Sequence, residues 1–412
     1  MTLSTHRFPA HRSASSPADP AVGLPVGPAA RPGIRPFIAG GVLLAALLGG
    51  CAADPVRVPP SELQAFTAGA RLEPVWRAET EPSGQGRFEP LVTEASVYVA
   101  DAEGGVRRFE RATGEVRWAA EPAGALASGV GGDDDTVYVA GFDGEIVALD
   151  AATGEERWRS SASSEVLAPV STGFGALVVR SADGRLAAMD PATGRERWSA
   201  SWTPPALTVN GYSRPLLLDG GLLVGLDDGR LLALNTGNGR PIWETALGTA
   251  SGRSEVERLA DIDADIRVDD EGIYAVGFQG RVARIEPARG QIVWSVPMSS
   301  TAGLAVDEDS VYVVDDESVV HALDKRDGRL RWSQDGFRGR RLTTPLRLGD
   351  ALVSGDLEGY VHVLDRATGE PIARRRVARS AIRARPAGEG DSVVVQSGGG
   401  RVVALRLVTI TD

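Results

Sequence analysis

EIVALDAATGEERW, from Glu145 to Trp158, contains the unit that recurs through most of this chain of 412 residues. An apolar segment leads into an Asp/Thr/Gly cluster, and a Trp follows four residues after the Gly. Apolar segments of period two mark half-buried strands, and Asp, Thr and Gly supply the side-chain-capped and positive-φ positions of a tight turn between them. The same arrangement returns as TGEVRW ending at Trp118, TGRERW at Trp198, NGRPIW at Trp243, RGQIVW at Trp294 and DGRLRW at Trp332. TGEPIA keeps the spacing with Ala373 in the Trp place. Further strand-like segments, such as TVYVAGFD and SVYVVDDE, precede these units.

Strand, turn and strand recurring at about 40 residues predict four-stranded antiparallel blades arranged radially. Segments read as third strands begin at Val106, Glu145, Arg185, Arg230, Arg281, Val319, Tyr360 and Arg401, which makes eight. The fourth strands also number eight once the isolated EPVW ending at Trp76 is counted. After RVVALRL no Gly-x-x-x-Trp follows. The strand around Trp76 is therefore expected to complete the C-terminal blade and leave no open edge. The expected fold is an all-β, eight-bladed β-propeller over residues 71–412.

The first fifty residues differ in kind. A Pro/Ala/Ser-rich leader with scattered Arg runs into FIAGGVLLAALL, Phe37 to Leu48, too short for a comfortable transmembrane helix and typical of a secretory signal. The run ends in LLGGC, which resembles the bacterial lipobox, with Cys51 as the lipidated first residue of the mature protein. Residues 1–50 are then the signal peptide and 51–70 the lipidated N-terminus and tether. Ala52 after the Cys implies, by the same resemblance, the outer membrane. Cys51 is the chain's single Cys, so no internal disulfide is available.

Composition narrows the function. The chain carries 50 Gly, 25 Pro and 42% hydrophobic residues, as a turn-rich globular protein should. Beyond residue 50 there are 40 basic and 54 acidic residues, which argues against nucleic acid as a partner. The D-x-x-T-G-x-x-x-W pattern resembles the repeat of quinoprotein dehydrogenases, which bind pyrroloquinoline quinone, so a periplasmic oxidoreductase is the alternative reading. Those enzymes also use a vicinal Cys pair and a calcium cluster, whereas this chain spreads its Trp over one position per repeat, where they bury area between blades. His321 and His362 occupy equivalent strand positions one repeat apart and suggest no zinc site. GDDDT at Gly132 and VDEDS at Val306 fall at strand turns, where Asp serves the turn. No cofactor and no metal is expected.

Successive Trp positions 76, 118, 158, 198, 243, 294 and 332 are separated by 42, 40, 40, 45, 51 and 38 residues. The excess falls in two consecutive repeats, after the Trp and before the next first strand. Equivalent connections lie on one face of a propeller, and insertions there tend to map to a binding face. The stretches are PALTVNGYSRP, Pro205 to Pro215, and RSEVERLADIDADI, Arg253 to Ile266. Together with the lipobox and the Trp repeats they resemble the BamB family, lipoproteins of the machinery that assembles β-barrels into the bacterial outer membrane. In that family a Leu-x-Leu-Arg and Asp-x-Asp pair contacts the periplasmic domains of BamA, the central barrel subunit. The resemblance implies that Leu207, Val209 and Asn210, with Arg258, Asp261 and Asp263, bind this partner; Val209 stands for a Leu, and Asn210 for the family's Arg. Two carboxylates at i and i+2 of an extended segment share a face and are expected on an exposed loop. The implied function is a non-enzymatic scaffold that binds BamA and assists insertion of barrel proteins, including contact with unfolded ones. A version in which exposed blade edges capture client strands directly is the third reading.

Overall fold

The computed structural model describes residues 59–208, 213–248 and 259–410. Every strand in it belongs to one of eight four-stranded antiparallel sheets. Blade 1 runs from Leu91 to Ala120, blade 2 from Gly131 to Ser161, blade 3 from Ser171 to Ser201 and blade 4 from Leu216 to Ala246. Blade 5 spans Arg267 to Pro297, blade 6 Gly303 to Gln334 and blade 7 Leu346 to Arg376. Blade 8 combines Ala387–Glu389, Ser392–Gln396 and Arg401–Thr409 with the N-terminal strand Ala70–Glu79. That strand pairs antiparallel along Arg401–Thr409, from Ala70 opposite Thr409 to Glu79 opposite Arg401. The propeller and its closure are as the sequence indicates.

Second and third strands, such as Thr136–Ala140 and Glu145–Asp150, are buried almost throughout, whereas outer strands alternate with solvent. Sheets covered on both faces read as near-continuous apolar runs, and these do. Their side chains form eight hydrophobic clusters, each shared by two successive blades, so the core is a ring of seams.

Seven seams use one device. The indole of an outer strand lies over the turn of the next blade, and its Nε1–H donates to a carbonyl in that turn. Trp76 reaches Arg111 at 2.8 Å, Trp118 reaches Ala151 at 3.0 Å and Trp158 reaches Pro191 at 2.9 Å. Trp198 bonds Thr236, Trp243 bonds Pro287, Trp294 bonds Lys325 and Trp332 bonds Arg366 in the same way. The repeated Gly lies directly beneath. At Gly154, φ is +76° and an added Cβ would stand 2.7 Å from the Trp118 ring, so both backbone and neighbour require glycine.

A bulge immediately before the Trp position occurs in every blade, for instance at Arg157 between the pairs Trp158–Ala148 and Glu156–Leu149. It turns the ring toward the neighbouring blade. The bulged Arg157 returns to Asp150 at 2.9 Å, as Arg197 does to Asp190 and Arg331 to Asp324, both at 2.7 Å. Arg157 and the Thr153 amide hold the Asp150 carboxyl down at about 2.

Of the span read as tether, the described residues lie along blades 6 and 7. Ser61 N–H donates to the Arg338 carbonyl at 2.8 Å, Arg340 Nη1 donates to the Ser61 carbonyl at 2.9 Å, and the Arg374 guanidinium stands 5.3 Å from the centre of the Phe66 ring.

Candidate functional site

The connections between blades converge around the propeller axis, and two of them are the longest. One joins blades 3 and 4 over residues 202–215; the other joins blades 4 and 5 over residues 247–266. They meet where Ser213 Oγ donates to the Ala264 carbonyl at 3.4 Å. The two stretches thus touch at one buried point, and their outer parts, residues 209–212 and 249–258, lie outside the described residues.

On the first connection, Trp202, Pro204 and Pro205 share a small cleft with the buried ion pair of Arg180 and Asp227. Leu207 follows at 47% exposure, a large apolar side chain presented to solvent. Val209 and Asn210 lie outside the described residues, as do Arg258 and the expected anchor Cys51.

The second connection departs from the expectation. Asp261 and Asp263 are 0% and 1% exposed, not solvated loop carboxylates. The segment is threaded into the seam between blades 4 and 5. Ile262 N–H donates to the Leu226 carbonyl at 3.2 Å, and Phe278 N–H donates to the Asp261 carbonyl at 2.7 Å. Ile262 lies so close to Gly225 that a Cβ there would be 2.5 Å away. Ala260, Ile262, Ala264 and Ile266 are all buried, and that packing fixes where the alternate positions go. Asp263 consequently meets the axis, where Arg87, from the connection between blades 8 and 1, lies 3.4 Å from its carboxylate. The i, i+2 reasoning was sound about alternation but silent about a second layer of chain over that face.

Sequence reasoning also missed an ionic lining around the axis. Arg214 pairs with Glu89 at 3.1 Å across 125 residues of sequence, and Arg267 lies 3.6 Å from Asp265. Burial alone would raise the Asp265 carboxyl, but Arg267, Arg214 and Arg385 together hold it below its usual range. The one visible hint was RSAIRARP, Arg379 to Pro386, an arginine-dense stretch in an acidic chain. His321 and His362, as expected, are blade side chains: each Nε2 bonds an Asp six residues earlier, Asp315 at 3.0 Å and Asp356 at 2.9 Å.

A family model described as outer membrane protein assembly factor BamB matches residues 102–334 and 318–409. The BamB of Pseudomonas aeruginosa is 41% identical over 369 residues, 88% of this chain and 97% of that protein. The BamB of Marinobacter adhaerens is 47% identical over 352 residues, 85% and 90% of the two chains. The crystal structure of BamB from Moraxella catarrhalis superposes with a TM-score of 0.76 at 27% identity, covering 81% of this chain and 99% of that one. A quinohemoprotein alcohol dehydrogenase from Comamonas testosteroni superposes with a TM-score of 0.69 at 14% identity, covering 81% and 76%, which shows a shared fold alone.

Proposed function

Because the chain belongs to the BamB family of outer-membrane protein assembly factors, we propose that it acts there as a non-enzymatic, lipid-anchored scaffold whose two long inter-blade connections bind BamA. The observations that support this reading are the contact of the two connections at Ser213 and Ala264 and the exposure of Leu207 on the first of them. An exposed Leu on a loop held by a rigid propeller is the kind of apolar anchor that interface cores use. Val209, Asn210 and Arg258 extend the contact surface in this proposal. Asp261 and Asp263 lie beneath it, buried in the seam that holds the connection carrying Arg258. Cys51 supplies the lipid that holds the propeller at the periplasmic face of the outer membrane, where contact with unfolded barrel proteins takes place.

Affinity for purified periplasmic domains of BamA tests the surface. Leu207→Glu leaves the core untouched and should weaken binding at least about thirtyfold, the equivalent of about 2 kcal/mol. Native affinity of that variant would remove Leu207 from the site. Anchoring is tested separately by Cys51→Ser, which should give a soluble or uncleaved protein.

A further inference from the structure

At the axis the connections enclose a cavity of about 590 Å³ that opens to solvent, a size suited to a small-molecule ligand. Five arginines line it: Arg87, Arg214, Arg341, Arg383 and Arg385. Two are matched, Arg87 by Asp263 at 3.4 Å and Arg214 by Glu89 at 3.1 Å. Three further carboxylates on the wall are already engaged, among them Asp265, which lies 3.6 Å from Arg267. Asp315 bonds His321 at 3.0 Å, and Asp316 accepts from the Thr301 amide at 2.8 Å. Arg341, Arg383 and Arg385 have no carboxylate within ion-pairing distance among the described residues. Arg383 Nε donates to the Gly84 carbonyl at 3.2 Å, and Arg385 Nε is buried without a hydrogen bond.

We propose that this cavity binds a small ligand bearing carboxylate or phosphate groups, held by Arg341, Arg383 and Arg385. The guanidinium group has donors and no acceptor, so these three call for hydrogen-bond acceptors, and an anion supplies acceptors together with the opposite charge. Planar forks match the paired oxygens of a carboxylate or phosphate, and charge-assisted bonds of this kind are roughly twice as strong as neutral ones. Burial without an acceptor supplies the drive. Burial, then Arg267, pushes the Arg385 guanidinium down to about 10, and burial with Arg341 lowers Arg383. An anion between them relieves both burdens. The carboxylates of the wall are engaged elsewhere, and Glu89 and Asp265 act on Arg385 only from beyond ion-pairing distance. The three arginines come from the connections from blade 6 to 7 and from blade 7 to 8, while Arg214 and Asp263 of the two long connections line the same cavity.

Isothermal titration of the purified protein at low ionic strength, with inorganic phosphate and separately with citrate, tests this against sodium chloride at matched ionic strength. Saturable binding of at least one anion is expected; phosphate alone would indicate a phosphoryl ligand, and citrate alone a carboxylate. Arg341→Gln, Arg383→Gln and Arg385→Gln should each weaken it at least tenfold. Arg341 is exposed, so its variant keeps the fold even where loss of a less exposed arginine perturbs packing. If neither anion saturates, or if all three variants titrate like the parent, the proposal is overturned.

Discussion

Trp76 closes the ring, and replacing it with Ala measures what closure is worth. The ring is buried at 7% exposure, stacks on Phe109 with centroids 5.5 Å apart, and donates its N–H to the Arg111 carbonyl at 2.8 Å. Truncating a buried Trp costs about 3–5 kcal/mol, which already contains most of the stacking contribution of about 0.5–1.5 kcal/mol. Loss of the donor leaves a partly covered carbonyl short of a partner, so about 4 kcal/mol is the expected total. Trp243→Ala is the control, because its ring occupies the same place in the repeat but is only half-buried and its N–H bond is open to solvent. Its smaller buried area should cost less, about 3 kcal/mol. In urea, with a slope of about 3 kcal/mol per molar, the midpoints should fall by about 1.3 M for Trp76→Ala and about 1 M for Trp243→Ala. Should the two variants lose equal stability, or Trp243→Ala lose more, the seam at the chain ends is not held by Trp76 and the closure argument fails.

Asp263→Arg sets a second guanidinium against Arg87 in a fully buried position and should cost at least about 3 kcal/mol in a urea melt, whereas Leu207→Ala should stay within about 0.5 kcal/mol. Gly154→Ala puts a Cβ against the Trp118 ring at a positive φ, and should cost about 1–3 kcal/mol with a shift in tryptophan fluorescence; unchanged emission and stability would dissociate the Gly from the Trp lock. Acid sensitivity should centre on blade 7. Burial pushes His362 below its usual 6.5 despite Asp356, and Asp356 lies below 3.8 because His362 and the Tyr360 amide outweigh its burial. Both folded values are depressed, so the stability they contribute is present at neutral pH. It is lost as pH falls, first below about 6.5 for His362 and then below about 4 for Asp356. His362→Gln should therefore flatten the fall in Tm between pH 7 and pH 5, and an identical fall in the variant would place the sensitivity elsewhere.

How far the sequence reaches depends on whether a feature is repeated or singular. Gly154 and Trp158 are legible because the turn and the seam recur, and each recurrence tests the reading again. The alternation at Asp261, Ile262 and Asp263 is equally legible, but period two says only that alternate side chains share a face. It cannot say what covers that face. Arg87 arrives there from 176 residues earlier in the chain, and no local pattern announces it. The axial arginines share this difficulty: Arg214, Arg341 and Arg385 come from three connections, and only closure of the ring makes them neighbours. Leu207 was recognisable only through its match to the family's Leu-x-Leu-Arg pattern, since its apolar neighbours Ala206 and Val209 give it no local distinction.

Ala373 shows how a departure from the repeat carries information of its own. Each Trp needs a partner turn in the next blade, with a Gly beneath the ring and a carbonyl above the N–H. Blade 8 has no such turn, because its outer strand, Ala70–Glu79, comes from the other end of the chain. A Trp at position 373 would have neither glycine nor acceptor to meet. The seam there is instead aliphatic, with Ala70, Leu72, Val363 and Ala373 in one cluster. Arg375 Nη1 bonds the Leu72 carbonyl at 2.9 Å, and Gly69 N–H bonds the Ile372 carbonyl at 3.1 Å. The one fourth strand without Trp therefore faces the one blade without a closing turn. Loss of the indole at 373 and arrival of the N-terminal strand are two consequences of a single fact, that a ring made from one chain has one place where its ends must meet.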